Sequence, residues 1–207
     1  MTATTAEPTV LEPLDHAGRA RLFTEARTAN TFAPTPVTDA ELQEVWDLAR
    51  WSPSAANSQP LRVLFVRSPE GKQRLLTHLN DGNKAKTEAA PAVAVLAFDP
   101  DWHRRMPELF PARGEGMRDA FEADPEGRAT MGGYSAALQT GVFLLAVRAV
   151  GLAAGPMAGF DRAGLDADFF ADSGWRSHLV VNIGHPGEDP WFPRLPRLDA
   201  EQALAWA

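Results

Sequence analysis

Cysteine is absent from the 207 residues, which excludes disulfides, thiolate metal sites and cysteine nucleophiles, so redox chemistry here needs a borrowed cofactor. Basic clusters are equally scarce. Twenty Lys and Arg stand against 27 Asp and Glu, the net charge is −7, and Arg104-Arg105 is the longest basic run, a balance that disfavours nucleic acid or an anionic membrane as partner. There is no Gly-x-Gly-x-x-Gly, no phosphate-loop lysine motif, no His-Glu-x-x-His and no Gly-x-Ser-x-Gly, which removes the commonest dinucleotide, nucleotide, zinc-protease and hydrolase signatures. The five histidines lack ligand spacing; Asp99-Pro-Asp101-Trp-His103 is the one acidic/histidine cluster, it reads as solvated surface, and no metal ligand is assigned. The start of the chain lacks a basic segment followed by an apolar run, so residues 1–13 read as a flexible leader to a domain over 14–207, and the cytoplasm is the expected location. The longest nearly apolar stretch, 136–155, contains Gln139, Thr140 and Arg148 and reads as a buried helix rather than a membrane span.

What is present suits one domain with a substantial core. Thr38 and Glu41 form a capping box ahead of Leu42, Val45, Trp46 and Leu48-Ala49 at helical spacing, which predicts a helix over 39–51. Further helices are expected over 16–29, 69–79, 129–150 and 161–171, with one or two turns at 84–90 and a helical tail at 199–206. Strands are expected at 61–66, 91–98 and 177–183; the middle one is apolar throughout, as befits a central strand covered on both faces. Asn80-Asp-Gly-Asn83 reads as a turn, and 99–124, rich in Pro, Gly and charge, as an excursion or lid with short helical pieces such as 102–109. Gly132, Gly133 and Gly141 permit close helix approach along 129–150, whose all-round hydrophobicity suits full burial or a dimer interface. The fold class is α+β, a mixed β-sheet wrapped by helices in a single domain.

Polar outposts flank these apolar segments. Between the helix at 39–51 and the strand at 61–66 stands Trp51-Ser-Pro53-Ser54-Ala-Ala-Asn57-Ser58-Gln59-Pro60. Its hydroxyl and amide groups can recognise a neutral polar ring or a sugar-like chain; the same composition also describes an ordinary turn. Arg27-Thr28-Ala29-Asn30 offers a guanidinium and a hydroxyl to a phosphate or ribityl-like chain, or a dipole partner at a helix end. Asn83 and Lys86, three residues apart, present an amide and a cation on one face, a pairing that suits a ring gaining negative charge on reduction. Gly155-Pro-Met-Ala158-Gly159-Phe-Asp161 reads as a turn whose small residues admit a ligand to backbone N–H groups, with Asp161 capping the next helix, or as a plain loop. Arg194 and Arg197 can clamp an anion or stand as solvated charge. No side chain is assigned as catalytic.

In chain order these motifs resemble the flavin-binding landmarks of the nitroreductase family, from about Leu22 to the C-terminus, most specifically at 49–60 and 155–161. Within the family they are most similar to the malonic semialdehyde reductase branch of pyrimidine degradation, through Ala26-Arg-Thr-x-Asn30, Gly82-Asn-x-x-Lys-Thr87, Leu109-Phe-Pro111, Gly155-Pro-Met-x-Gly-Phe-Asp-Arg162 and Arg194-Leu-Pro-Arg-Leu198. The resemblance implies an intertwined homodimer with FMN at the subunit interface, NAD(P)H as co-substrate and a small-molecule substrate. It implies Arg27, Thr28 and Asn30 near the flavin phosphate and ribityl chain, and a loop carrying Pro53, Ser54, Asn57 and Gln59 supplied by the partner subunit. It further implies Asn83 and Lys86 at the pyrimidine edge of the ring, Ala158 and Gly159 near its reactive nitrogen, and Arg194 and Arg197 at the phosphate. Two departures stand out: Asn30 replaces a second cation common in the family, and Ala158 replaces an acid found in some nitroreductases. The implied reaction is ping-pong hydride transfer from NAD(P)H through the flavin to a small aldehyde such as malonic semialdehyde, giving 3-hydroxypropionate. A general nitro or quinone reductase and a non-catalytic flavin-binding dimer are the alternatives.

Overall fold

A computed structural model of the chain describes residues 12–207, so the expected leader lies outside the described residues up to residue 11. Asp15 caps α1 (His16–Arg19) by accepting from the Gly18 N–H at 2.7 Å. The helix continues as a π-turn over Ala20–Thr24 and stops there, five residues short of expectation. Beyond it the backbone finds partners elsewhere: Ala29 N–H donates to the Ala154 carbonyl at 3.1 Å and Asn30 N–H to that of Pro190 at 3.0 Å. The capping box forms as read, with Thr38 and Glu41 exchanging bonds at the start of α2 (Asp39–Ala49).

The remaining elements are β1 (Leu61–Val66), α3 (Pro69–His78), α4 (Asp81–Ala89), β2 (Ala92–Phe98), α5 (Met106–Leu109), α6 (Gly114–Ala123), α7 (Pro125–Ala149), β3 (Ala153–Met157), α8 (Arg162–Phe169), β4 (Arg176–Gly184) and α9 (Ala200–Ala203). The α+β class in one domain holds. The sheet, in the order β1-β2-β4-β3, is antiparallel at all three pairings rather than mixed. Between β3 and β4 the reason is length: α8 has eight residues, about 12 Å of helix, against about 30 Å for the nine-residue β4. The chain therefore starts β4 beside the end of β3, with Met157 opposite Val180.

Side-chain alternation along β2 divides the core. Val93, Val95 and Ala97 face a cluster with Leu75, Leu79 and Leu165, and Ala92, Ala94 and Leu96 face one with Val45, Phe143 and Val147. The strand is covered on both faces, and fully burying a residue such as Leu75 or Phe143 contributes about 2 kcal/mol.

Three segments depart from expectation. The turn at 80–83 is instead the start of α4, with Asn80 in extended backbone as its N-cap. The stretch 153–157 is an edge strand rather than a turn, since its small residues let Ala29 lie against it; a Cβ on Gly155 would sit 2.7 Å from the Ala29 carbonyl oxygen. The excursion is largely helical and pinned down. Trp102 and His103 are fully buried, Trp102 Nε1–H donates to the Arg128 carbonyl at 3.1 Å, and His103 Nε2 lies 2.6 Å from the Glu122 carboxylate. Asp99 pairs with Arg62 at 2.7 Å instead of joining His103 in one cluster.

α7 begins four residues before expectation because Asp124 caps it and Pro125 opens it. It is long and apolar enough to cross a membrane by length and composition, yet Gly132, Ala136, Phe143, Ala146 and Val147 are buried inside the domain. Burial is one-sided rather than complete: Tyr134 is 65% exposed and Leu138 40%.

Candidate functional site

The early end of the first helix leaves 25–30 extended beside the C-terminal segment. Arg27 donates from its guanidinium to the Phe192 carbonyl at 2.5 Å, and Arg194 returns the contact by donating to the carbonyls of Thr24 at 2.9 Å and Ala26 at 3.2 Å. Between the two segments opens a cavity of about 530 Å³ lined by Ala26, Arg27, Thr28, Asn30, Arg148, Phe192, Pro193, Arg194, Leu195 and Arg197. Four guanidinium groups line it and no carboxylate does, so the cavity attracts anions. Arg197 donates to the carbonyls of Leu195 and Pro196, 3.0 Å each. Asn30 Nδ2 turns back to the Thr28 carbonyl at 3.3 Å. A second cavity of about 490 Å³ shares Ala26, Arg27 and Arg148 with the first and extends to His16, Arg21, Glu25 and Trp191.

Arg148, on the last turn of α7, is the charged residue of the cavity lining that the motifs do not reveal. Burial lowers its pKa below the usual arginine range, and its buried Nε has no hydrogen-bond partner among the described residues. The one sequence signal is a lone arginine ending an otherwise apolar run.

β3 leads from this cavity to the second group. Ala154 and Gly155 touch Ala29, and the chain leaves the strand through Ala158 and Gly159. The Gly159 carbonyl accepts from Asn83 Nδ2 at 2.9 Å and from the Asn80 backbone N–H at 3.1 Å. Asp161 caps α8 as read, accepting from the Gly164 N–H at 3.1 Å. Lys86, one helical turn beyond Asn83, is half-buried, while Lys84 pairs with Asp81 at 2.7 Å. The structure thus brings Asn83 and Gly159 into contact and sets Lys86 beside them on α4. A cavity rich in cations at one end of an edge strand and an amide with a cation at the other can hold a ligand with a terminal anion and an electron-accepting ring.

The loop at 53–59 forms a third group. Within one single-turn 3₁₀ segment and its exit, Ala56, Asn57 and Gln59 adopt left-handed backbone with φ of 50°, 57° and 43°, a costly arrangement for residues with a Cβ. Side chains of α7 hold it: Ser135 Oγ accepts from the Ala55 N–H at 3.1 Å and Gln139 Oε1 from the Leu61 N–H at 3.0 Å. Inside the loop Ser54 Oγ accepts from the Gln59 N–H at 3.1 Å, Gln59 Nε2 donates to Asn57 Oδ1 at 2.8 Å, and Asn57 Nδ2 donates to the Leu109 carbonyl at 2.8 Å. Pro53 is exposed. The amides of Asn57 and Gln59 therefore shape the loop, and none of the four expected loop residues lines the arginine cavity.

The profile of the nitroreductase family matches residues 24–185. A candidate NADH dehydrogenase/NAD(P)H nitroreductase of Streptomyces coelicolor is 58% identical over 188 residues, covering 91% of this chain and 93% of its own length; one from Rhodopseudomonas palustris is 46% identical over 183 residues, covering 88% and 92%. Among solved structures, a candidate nitroreductase of Bacillus subtilis superimposes with a TM-score of 0.82 at 20% identity, covering 93% of this chain and all of its own. Another, from Exiguobacterium sibiricum and in complex with FMN, gives 0.79 at 18% identity, covering 96% and 100%. These structures share the fold, and the family match with the close relatives establishes descent: the chain belongs to the nitroreductase family of oxidoreductases.

Proposed function

We propose that the protein is an FMN-dependent NAD(P)H oxidoreductase acting on a small molecule in the cytoplasm. The observation that carries this reading is the convergence of Arg27, Thr28, Asn30, Arg194 and Arg197 on one carboxylate-free cavity, joined by β3 to the Asn83–Gly159 contact. The residues present fit the cofactor: the guanidinium groups suit its phosphate in a lining without a carboxylate among the described residues, and the buried Nε of Arg148, unpaired among those residues, lacks an acceptor.

When bound, FMN supplies a two-electron hydride carrier between a nicotinamide and an oxidised substrate, met in turn in ping-pong fashion. The chain's own contribution is positional and electrostatic. Arg27, Arg194 and Arg197 hold the phosphate, with Thr28 and Asn30 toward the ribityl chain. Asn83 is oriented by its bond to Gly159, and Lys86 supplies positive charge at the ring edge that gains electron density. Ala158 and Gly159 would put no side chain larger than a methyl against a ring bound beside them.

We further propose that the site is completed in a homodimer, the loop of Pro53, Ser54, Asn57 and Gln59 serving the partner's flavin. Support comes from the separation of that loop from the arginine cavity and from the open, apolar face of α7 at Tyr134 and Leu138. A monomer in light scattering at micromolar concentration overturns the shared site.

For the acceptor we propose a small aldehyde such as malonic semialdehyde, on the strength of the branch-like motifs; the second reading is a general nitro or quinone reductase, and the relatives' names, which read NAD(P)H nitroreductase, favour its nitro half. Steady-state assays with both classes separate them. The family-level reading is tested first by the visible spectrum of the purified protein before and after anaerobic NADPH. An oxidised-flavin spectrum that bleaches is expected; a protein that stays colourless after FMN is supplied overturns the proposal and leaves a module without this chemistry.

A further inference from the structure

We propose that Arg148, a lining residue of the arginine cavity, is a further phosphate-binding residue, which supplies the cation that Asn30 does not. The inference rests on the flavin reading. The other three cavity arginines each have backbone carbonyl partners, whereas Arg148 buries an Nε–H with none. A buried, unpaired guanidinium N–H is costly; this Nε is closed off from solvent, and a turn of the side chain toward the cavity that it lines, where no carboxylate stands among the described residues, would let a phosphate pair it. Glu25 stands in the neighbouring cavity, which Arg148 and Arg27 also line. Arg148 lines the cavity from the last turn of α7, and an arginine fork can give two parallel donors to a phosphate.

An arginine at a helix C-terminus also complements the helix dipole. That role stabilises the fold and does not distinguish FMN from riboflavin, which lacks the phosphate, so the ratio of the two affinities isolates the proposed contact. Full-length protein freed of flavin is titrated with FMN and with riboflavin, binding being followed by quenching of flavin fluorescence, for the wild type, Arg148→Met and Arg148→Lys. Thermal melting shows which variants are folded. The expected result is a loss of about tenfold or more in the FMN-over-riboflavin ratio for Arg148→Met, with riboflavin affinity unchanged and Arg148→Lys intermediate because it keeps the charge and loses the fork. Inorganic phosphate competes with FMN on the wild type and loses potency on the variants. A ratio equal to the wild type's in folded Arg148→Met, or in Arg148→Lys where the methionine variant does not fold, overturns the role of Arg148 while leaving the flavin reading standing. A wild-type protein that binds neither flavin overturns the reading itself.

Discussion

Asn83 and Gly159, 76 positions apart in the chain, meet at 2.9 Å, the Asn83 side-chain amide donating to the Gly159 carbonyl. The contact ties α4 to the exit of β3 and depends on the absence of a side chain at 159, where a Cβ would lie 2.9 Å from Asn83 Nδ2 and 3.0 Å from Asn80 Nδ2. Both obstacles are ends of movable side chains. Gly159→Ala should therefore cost about 1 kcal/mol or less in urea unfolding, the scale of one hydrogen bond, while lowering the flavin absorbance per mole of purified protein severalfold. Unchanged flavin content would detach position 159 from the cofactor.

Lys86 has the opposite profile, since its side chain is only half-buried. A well-placed electrostatic donor is worth on the order of 3 kcal/mol in a preorganised site. Lys86→Ala should slow reduction by NADPH in anaerobic stopped flow by up to about a hundredfold, or weaken flavin binding comparably, with the unfolding midpoint unmoved. Wild-type flavin content together with a wild-type rate would remove Lys86 from the site.

His178 on β4 predicts a pH dependence of stability. Burial, reinforced by the charge of Arg162, lowers its pKa from 6.5 to about 4, and Thr140 Oγ1 lies 2.7 Å from its Nε2, within hydrogen-bond distance. The unfolded chain takes up the proton near pH 6.5 and the folded one only near 4. Stability is thus fully present above about pH 6.5 and declines as pH falls toward about 4, by up to about 3 kcal/mol. Asp168 and Glu122, whose partners Arg74, His78 and His103 lower their pKa values, lose their contributions only at still lower pH. Urea unfolding at several pH values between 6.5 and 4.5 should show a steep slope for the wild type and a flatter one for His178→Gln; identical slopes would refute the assignment.

The loop at 53–59 stores backbone strain. Ala56 sits at φ 50° and ψ 32°, a conformation that costs a residue with a Cβ about 1 kcal/mol or more. Ala56→Gly should raise the unfolding free energy by about 0.5–1 kcal/mol after glycine's larger entropy loss is offset. A destabilised variant would mean that the Ala56 methyl packs in a way that outweighs the strain.

What was legible in the residues was local. Capping at Thr38–Glu41, Asp161 as an N-cap and the unbroken apolar run of β2 involve neighbours within a few positions, and their hydrogen bonds and burial follow from spacing alone. The candidate residues at 27–30, 83–86 and 194–197 stand out as short runs of polar and charged side chains, and 158–159 as a pair of small residues. The end of the first helix at Thr24, the strand at 153–157 and the antiparallel sheet were not legible, since each depends on a partner far along the chain: Ala154 and Pro190 claim the backbone of 29–30, and β4 claims β3. Arg148 belongs to the same class. In the sequence it is one charge at the end of an apolar helix, and only the folding of 26–30 and 192–197 beside that helix end makes it part of the lining of the arginine cavity. By itself the sequence determined which chemical groups the protein has and where its local elements begin; tertiary structure decided which of those groups face one another, because burial and long-range hydrogen bonds, rather than propensity, choose among the conformations a short segment can adopt.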